Sequence, residues 1–208
     1  GTEEDNPTAL KWYTQAAQKG QLYAQYYLGF LYLYGDDGVS INTKKGLEWM
    51  TKSADAGLDL AQAELGHLYS DGNDEVAQDL KKALHYYQLA VKQDEASAIN
   101  NLGIFYLEGK AGLKQDYKEA LRLFTLASKA ENGLGSSNIA YVYEEGKGVE
   151  KNYKKAAEYY ALAVEQGENE ALLDLARLYE NGGFGLAKNL KKSKEYEAQW
   201  DELQTEKN

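Results

Sequence analysis

Ala98-Ile99-Asn100-Asn101-Leu102-Gly103-Ile104-Phe105-Tyr106-Leu107-Glu108-Gly109, then a loop, then Asp116-Tyr117-Lys118-Glu119-Ala120, is a pattern that the chain writes five times. Counted on its tyrosine, the pattern recurs at Tyr32, Tyr69, Tyr106, Tyr143 and Tyr179, at intervals of 37, 37, 37 and 36 residues. A fixed period of that length predicts a helical repeat array, in which each unit buries its apolar face only against its neighbours.

Working outward, each unit reads as two helices joined by a glycine-marked loop. In the first helix small residues recur at Ala24, Ala61, Ala98, Gly135 and Ala171, followed four positions on by Leu28, Leu65, Leu102, Ile139 and Leu175. Gly29, Gly66, Gly103, Ala140 and Ala176 come next, then the tyrosines, and spacings of four, one and three put the whole set on one helical face. Three residues after each tyrosine, Gly35, Gly72, Gly109, Gly146 or Gly182 predicts a helix stop in the left-handed conformation. Asn42, Asp79, Asp116, Asn152 and Asn189 are good N-caps for the second helices. Their packing positions read Gly46, Ala83, Ala120, Ala156 and Ser193, then Trp49, Tyr86, Leu123, Tyr159 and Tyr196, then Met50, Tyr87, Phe124, Tyr160 and Glu197.

The two ends depart from the pattern. Asp5 to Gly20, with Asp5 as N-cap, Pro7 in the opening turn and Ala9, Trp12, Tyr13, Ala16 and Ala17 on one face, reads as a second helix without its first, which suggests a fragment or processed chain. The last helix is polar where the others are apolar and trails into a polar tail at 201–208, as a terminal capping helix requires. The expected boundaries are a half repeat at 5–20 and full repeats at 22–57, 59–94, 96–131, 133–167 and 169–203, making one extended domain over 1–208.

Composition narrows the partner class. A formal net charge of −10 argues against a general affinity for nucleic acid or anionic membranes, which takes clustered Lys and Arg. No apolar run is long enough to cross a bilayer. With no cysteine in the chain, disulfide staples and thiolate metal sites are excluded, although the compartment is not fixed by this.

The residues resemble the Sel1-like repeats, a branch of the tetratricopeptide-like superfamily. The match is the pattern Ala98-x3-Leu102-Gly103-x2-Tyr106-x2-Gly109-x2-Gly112-Leu113-x2-Asp116-x3-Ala120, carried through five full units and one half unit. The resemblance implies an all-α fold, a right-handed α/α superhelix of antiparallel helix pairs, whose first helices line a concave surface that holds protein or peptide partners. It implies a non-enzymatic scaffold or adaptor without a cofactor or metal, and a bacterial origin with export to the periplasm or medium favoured over the cytoplasm. A cysteine-rich branch of the family is linked to penicillin binding and β-lactamase activity. The absence of cysteine here makes that branch a poor match, and hydrolysis of a small ligand stands as the alternative reading, with a passive oligomerisation module as a third. A monomer is the expected state.

If the repeating set is core, binding chemistry belongs to the positions that vary from unit to unit. Four columns on the first helices vary: Tyr23, Leu60, Ser97, Leu134, Glu170; Tyr26, Ala63, Asn100, Ser137, Leu173; Tyr27, Glu64, Asn101, Asn138, Asp174; and Phe30, His67, Ile104, Tyr141, Arg177. Tyr23, Tyr26, Tyr27, Phe30 and Tyr34 crowd five aromatics onto the first unit, where they can anchor a partner unless Trp12 and Tyr13 cover them. Asn100, Asn101 and Asn138 offer amides to an extended peptide backbone. The partner-facing set is therefore Tyr23, Tyr26, Tyr27, Phe30, Tyr34, Glu64, His67, Asn100, Asn101, Ile104, Asn138, Tyr141, Asp174 and Arg177.

Other motifs yield to simpler readings. Glu64 and His67 stand at i and i+3, a spacing used for metal ligands in carboxylate-bridged bundles, but no second pair matches them. Asp71-Gly72-Asn73-Asp74-Glu75 lacks the twelve-residue calcium-loop plan. Lysine pairs at Lys44-Lys45, Lys81-Lys82, Lys154-Lys155 and Lys191-Lys192 lie at the unfavourable end of the helix dipole, so packing of their stems or ion pairs must favour them.

Overall fold

The computed structural model describes residues 6–35 and 39–205. The expected N-cap Asp5, the Ala9 side chain and the tail from 206 onward lie outside the described residues. The described chain is all-α: α1 (Asn6–Gln18), α2 (Leu22–Tyr34), α3 (Thr43–Asp55), α4 (Asp59–Asp71), α5 (Leu80–Val91), α6 (Ala96–Glu108), α7 (Tyr117–Lys129), α8 (Gly133–Glu145), α9 (Tyr153–Glu165), α10 (Ala171–Asn181) and α11 (Leu190–Thr205). A 3-10 turn, Lys110–Gly112, follows α6. The helices gather into two units, Gly1–Ala98 and Ile99–Asn208, with the division inside α6.

In the first unit the repeat's grammar becomes geometry. A Cβ added at Gly29 would stand 2.8 Å from the Met50 backbone nitrogen, and one at Gly46 would stand 2.7 Å from Leu33, so α2 and α3 run antiparallel at backbone-contact distance. One period later Gly66 makes room for the ring of Tyr87, which is fully buried. Leu33, Met50, Ala54, Leu58, Ala61, Leu65, Leu68 and Val76 form one buried cluster. Removing a side chain from such a layer costs roughly 2 to 5 kcal/mol.

The second unit repeats the scheme. Gly103 admits the ring of Phe124, which would otherwise lie 2.6 Å from a Cβ. Leu107, Ala120, Phe124, Ile139 and Val142 form one cluster, and Ala140, Ala156, Tyr160, Ala163, Ala171, Leu175 and Leu178 belong to another. On α11 Ser193 alone is buried among the described residues, while Glu197 is exposed.

All five N-caps accept as expected: Asn42 from Lys45 N–H, Asp79 from Lys82, Asp116 from Lys118 and Glu119, Asn152 from Lys155 and Asn189 from Lys192, at 2.9–3.1 Å. Each N-cap also donates its own N–H to the carbonyl of its unit's tyrosine at 2.7–2.9 Å. The stop glycines need one correction. All five have positive φ, but only Gly109 and Gly146 are left-handed helical. Gly35, Gly72 and Gly182 pair φ of 67–76° with an extended ψ, a region open only to glycine.

The lysine pairs find a third explanation. The second lysine of each pair arches over the tyrosine of its own repeat: Lys45 over Tyr32 at 5.4 Å, and Lys82 over Tyr69, Lys155 over Tyr143 and Lys192 over Tyr179 at 4.8 Å. Three of those tyrosines stack in turn on the second-helix aromatic, Tyr69 on Tyr86, Tyr143 on Tyr159 and Tyr179 on Tyr196, at 5.9–6.0 Å. A first-helix tyrosine that meets both a cation and an aromatic of the second helix ties the helix pair together. The third repeat has Glu119 where the lysine would be, and it pairs instead with Arg122 at 2.7 and 2.8 Å.

Candidate partner-binding faces

In the first unit the face is built on α2. Its sequence turns Ala24, Leu28 and Gly29 inward, so the helical period carries Tyr23, Tyr27, Phe30 and Tyr34 outward, where all four are exposed. The rings form an unbroken chain: Tyr13 to Tyr27 at 5.6 Å, Tyr27 to Tyr26 at 5.4 Å, Tyr26 to Phe30 at 6.4 Å and Phe30 to Tyr34 at 4.6 Å. Tyr26 is the half-buried member and also packs against the Leu65 cluster. The Tyr34 hydroxyl donates to Glu64 on α4. Burial, reinforced by this bond, pushes the Tyr34 phenol well above its ordinary pKa, so it remains a donor.

Trp12 and Tyr13 flank this row and leave it open. Trp12 is 64% exposed, which corrects the expectation that it packs inward with Ala17. Together with Ala16, Gln21, Tyr23 and Tyr27 these two aromatics line an open, mainly apolar depression of about 540 Å³. The Glu64 and His67 pair does not converge on one point: Glu64 receives Tyr34, while His67 Nδ1 lies 3.7 Å from Asp71 in an exposed contact. Asn73 accepts from the N–H groups of Glu75 and Val76, so the acidic loop is a turn closed by its own asparagine.

In the second unit Ile104, Asn138 and Tyr141 come together. With Leu107, Gln115 and Lys147 they line a hollow of about 320 Å³ between α6 and α8. Asn101 is half-buried on the same helix. Asn100 is a correction: it is 2% exposed, and its Oδ1 accepts from Asn138 Nδ2 at 2.8 Å. Its column points inward in the second and third repeats, since Ala63 is also buried, and the amide fixes Asn138 in place.

Arg177 and Asp174 are also brought together, though around a residue the columns did not include. Arg177 grips the buried Glu144 with both Nη atoms and reaches Asp174 Oδ1 at 2.7 Å, while the Tyr160 hydroxyl donates to Glu144 Oε2 at 3.0 Å. The Glu144 bond, ahead of the Asp174 bond, holds the guanidinium pKa up, and burial with the two nearby carboxylates raises that of the Tyr160 phenol. A sequence signal existed. Glu144 follows the repeat tyrosine, a position held elsewhere by Leu33, Ser70, Leu107 and Glu180; inside the array a charge there is buried and has to be neutralised, whereas Glu180 in the last repeat is exposed.

Variable side chains displayed on helix pairs, and held by a core that repeats from pair to pair, define a helical-repeat scaffold. The chain belongs to the Sel1 repeat family: the Sel1 repeat matches at residues 1–21, 22–58, 59–95, 96–132, 128–168 and 169–196. A Sel1 repeat protein from Oxalobacter formigenes is 27% identical and superposes with a TM-score of 0.84, over 93% of this chain and 76% of that one. The immunity proteins PA5088 and Pa5087 from Pseudomonas aeruginosa share the fold at 22% identity, with TM-scores of 0.68 and 0.65 over 98% and 93% of this chain and 76% and 72% of theirs. No curated protein matches the chain. Sel1 repeats are generally protein-interaction scaffolds and typically non-catalytic.

Proposed function

We propose that the protein is a non-enzymatic scaffold that holds a protein or extended peptide on the variable faces of its first helices. The observation that carries this reading is the row of exposed rings on α2. Water-exposed aromatics at helical spacing are costly to leave bare and are the residue type that dominates binding energy at interfaces. The hollow at Ile104, Asn138 and Tyr141 supports a second contact, with one apolar wall and an amide fixed by Asn100.

The test is capture of partners from the parent proteome by the whole chain and by two double variants. Tyr27→Ala with Phe30→Ala removes two exposed rings, and Asn101→Ala with Asn138→Ala alters the second face. Loss of a partner with retention of the helical circular-dichroism spectrum supports the reading. Retention of every partner by both variants overturns it.

A further inference from the structure

We propose that the occupant of the α2 face is a basic extended segment, one carrying Lys or Arg side chains among apolar ones. This names the partner class for the scaffold reading above and rests on it. The first argument is charge. Residues 1–98 hold eight Lys and Arg against fifteen Asp and Glu, while residues 99–208 hold fifteen against eighteen, so most of the chain's net negative charge belongs to the first unit. Within that unit α2 has no charged side chain, and α4 carries Asp59, Glu64 and Asp71 with no Lys or Arg. Every lysine of the unit sits on other elements.

The second argument is the chemistry that the molecule uses on itself. Four repeats place their own lysine over their own tyrosine, and Lys52 lies 4.2 Å from the Trp49 ring centre. The rings of Tyr23, Tyr27, Phe30 and Tyr34 have no such cation among the described residues. These residues are 39–60% exposed, and the Tyr34 hydroxyl is tied to Glu64, so a carboxylate stands at the end of the ring row. A guanidinium or ammonium resting on these rings reaches that carboxylate without leaving the aromatic surface. Asp71, well exposed, is seven residues further along α4, about 10 Å of helix, which an extended chain covers in about three residues. Apolar side chains that flank the basic ones along the N-terminal half of α2 enter the depression at Trp12, Tyr13 and Tyr23.

The test is fluorescence anisotropy with the whole chain and three labelled peptides of one apolar framework, bearing arginine, glutamine or glutamate at the same positions. The arginine peptide should bind at least tenfold more tightly than the glutamine peptide, and the glutamate peptide should not bind. Glu64→Gln with Asp71→Asn should weaken the arginine peptide about tenfold, whereas Asp201→Asn with Glu202→Gln, an equal charge loss on exposed positions of α11, should leave it unchanged. Raising the salt concentration should weaken binding. Equal binding of arginine and glutamine peptides, an equal effect of the α11 variant, or no peptide binding overturns the basic-partner proposal. So does self-association abolished by Tyr27→Ala with Phe30→Ala, because a second copy is then the occupant. If partners captured from the proteome still depend on Tyr27 and Phe30 when the peptides fail, the scaffold reading stands without this partner class.

Discussion

Gln25 and Gln62 occupy one position of successive repeats and make the same bond, Nε2 to the carbonyl of Ala17 or Ala54 at 3.1 and 3.0 Å. Gln62 Oε1 then accepts from Gln93 at 2.9 Å, but Gln25 Oε1, also buried, has no partner among the described residues. The equivalent of Gln93 one period earlier is Ala56. Restoring the amide with Ala56→Gln should stabilise the protein by about 1 kcal/mol, because an unmade buried bond costs more than a made one gains; the urea midpoint reads it. The reverse case is Arg177. Arg177→Met strands the buried Glu144 carboxylate and should cost about 2 to 3 kcal/mol, the arginine's partial exposure keeping it below a fully buried pair. Glu144→Gln should recover part of that loss in the double variant. None of this pairing is written in the repeat. Periodicity tells which positions face inward, as it does for Leu28, Leu65 and Leu102. It does not tell which polar atoms meet there, because Gln93 and Arg177 reach partners more than 30 residues away.

At the scale of the helix the legible part was larger. The N-caps, the small-residue contacts and the second-helix aromatics follow from residue type and spacing alone, since each answers a local requirement of the backbone or of the layer thickness. The lysine pairs show where local reasoning stops. Their position runs against the helix dipole, and the ring above which Lys82, Lys155 and Lys192 come to rest explains it, with an ion pair to Asp79 added at Lys82. Lys155→Gln should therefore destabilise the chain by about 0.5 kcal/mol, measured by chemical denaturation. Lys154→Gln beside it should leave stability unchanged. The exposed aromatics on α2 were also readable, because a helix rich in rings all round cannot bury every side. The inward turn of Asn100 was not, since an asparagine fits a groove or a packed layer equally well until its partner Asn138 is seen.

For the molecule as a whole, tyrosine sets the upper limit of the working pH. The phenols of Tyr34, Tyr87 and Tyr160 are held above their ordinary value near 10 chiefly by burial. A group with a raised folded pKa contributes stability that is present below its unfolded pKa and is lost as pH rises toward the folded one. The chain should keep its stability to about pH 10 and lose it above, as tyrosinate charge adds to a net charge already at −10. Ultraviolet titration should show one set of the 18 tyrosines ionising reversibly and a second set only on unfolding. The shorter fourth loop carries a different consequence. Tyr143 and Asn152 are nine residues apart where Tyr32 and Asn42, Tyr69 and Asp79, Tyr106 and Asp116, and Tyr179 and Asn189 are ten, yet the bond from N-cap to tyrosine carbonyl stays at 2.8 Å. The segment between stop glycine and N-cap thus changes length while both of its anchors hold. That makes it the natural splice point of the molecule, where a foreign loop or a reporter can be grafted into one repeat provided the residue that plugs the core, such as Val76, is kept.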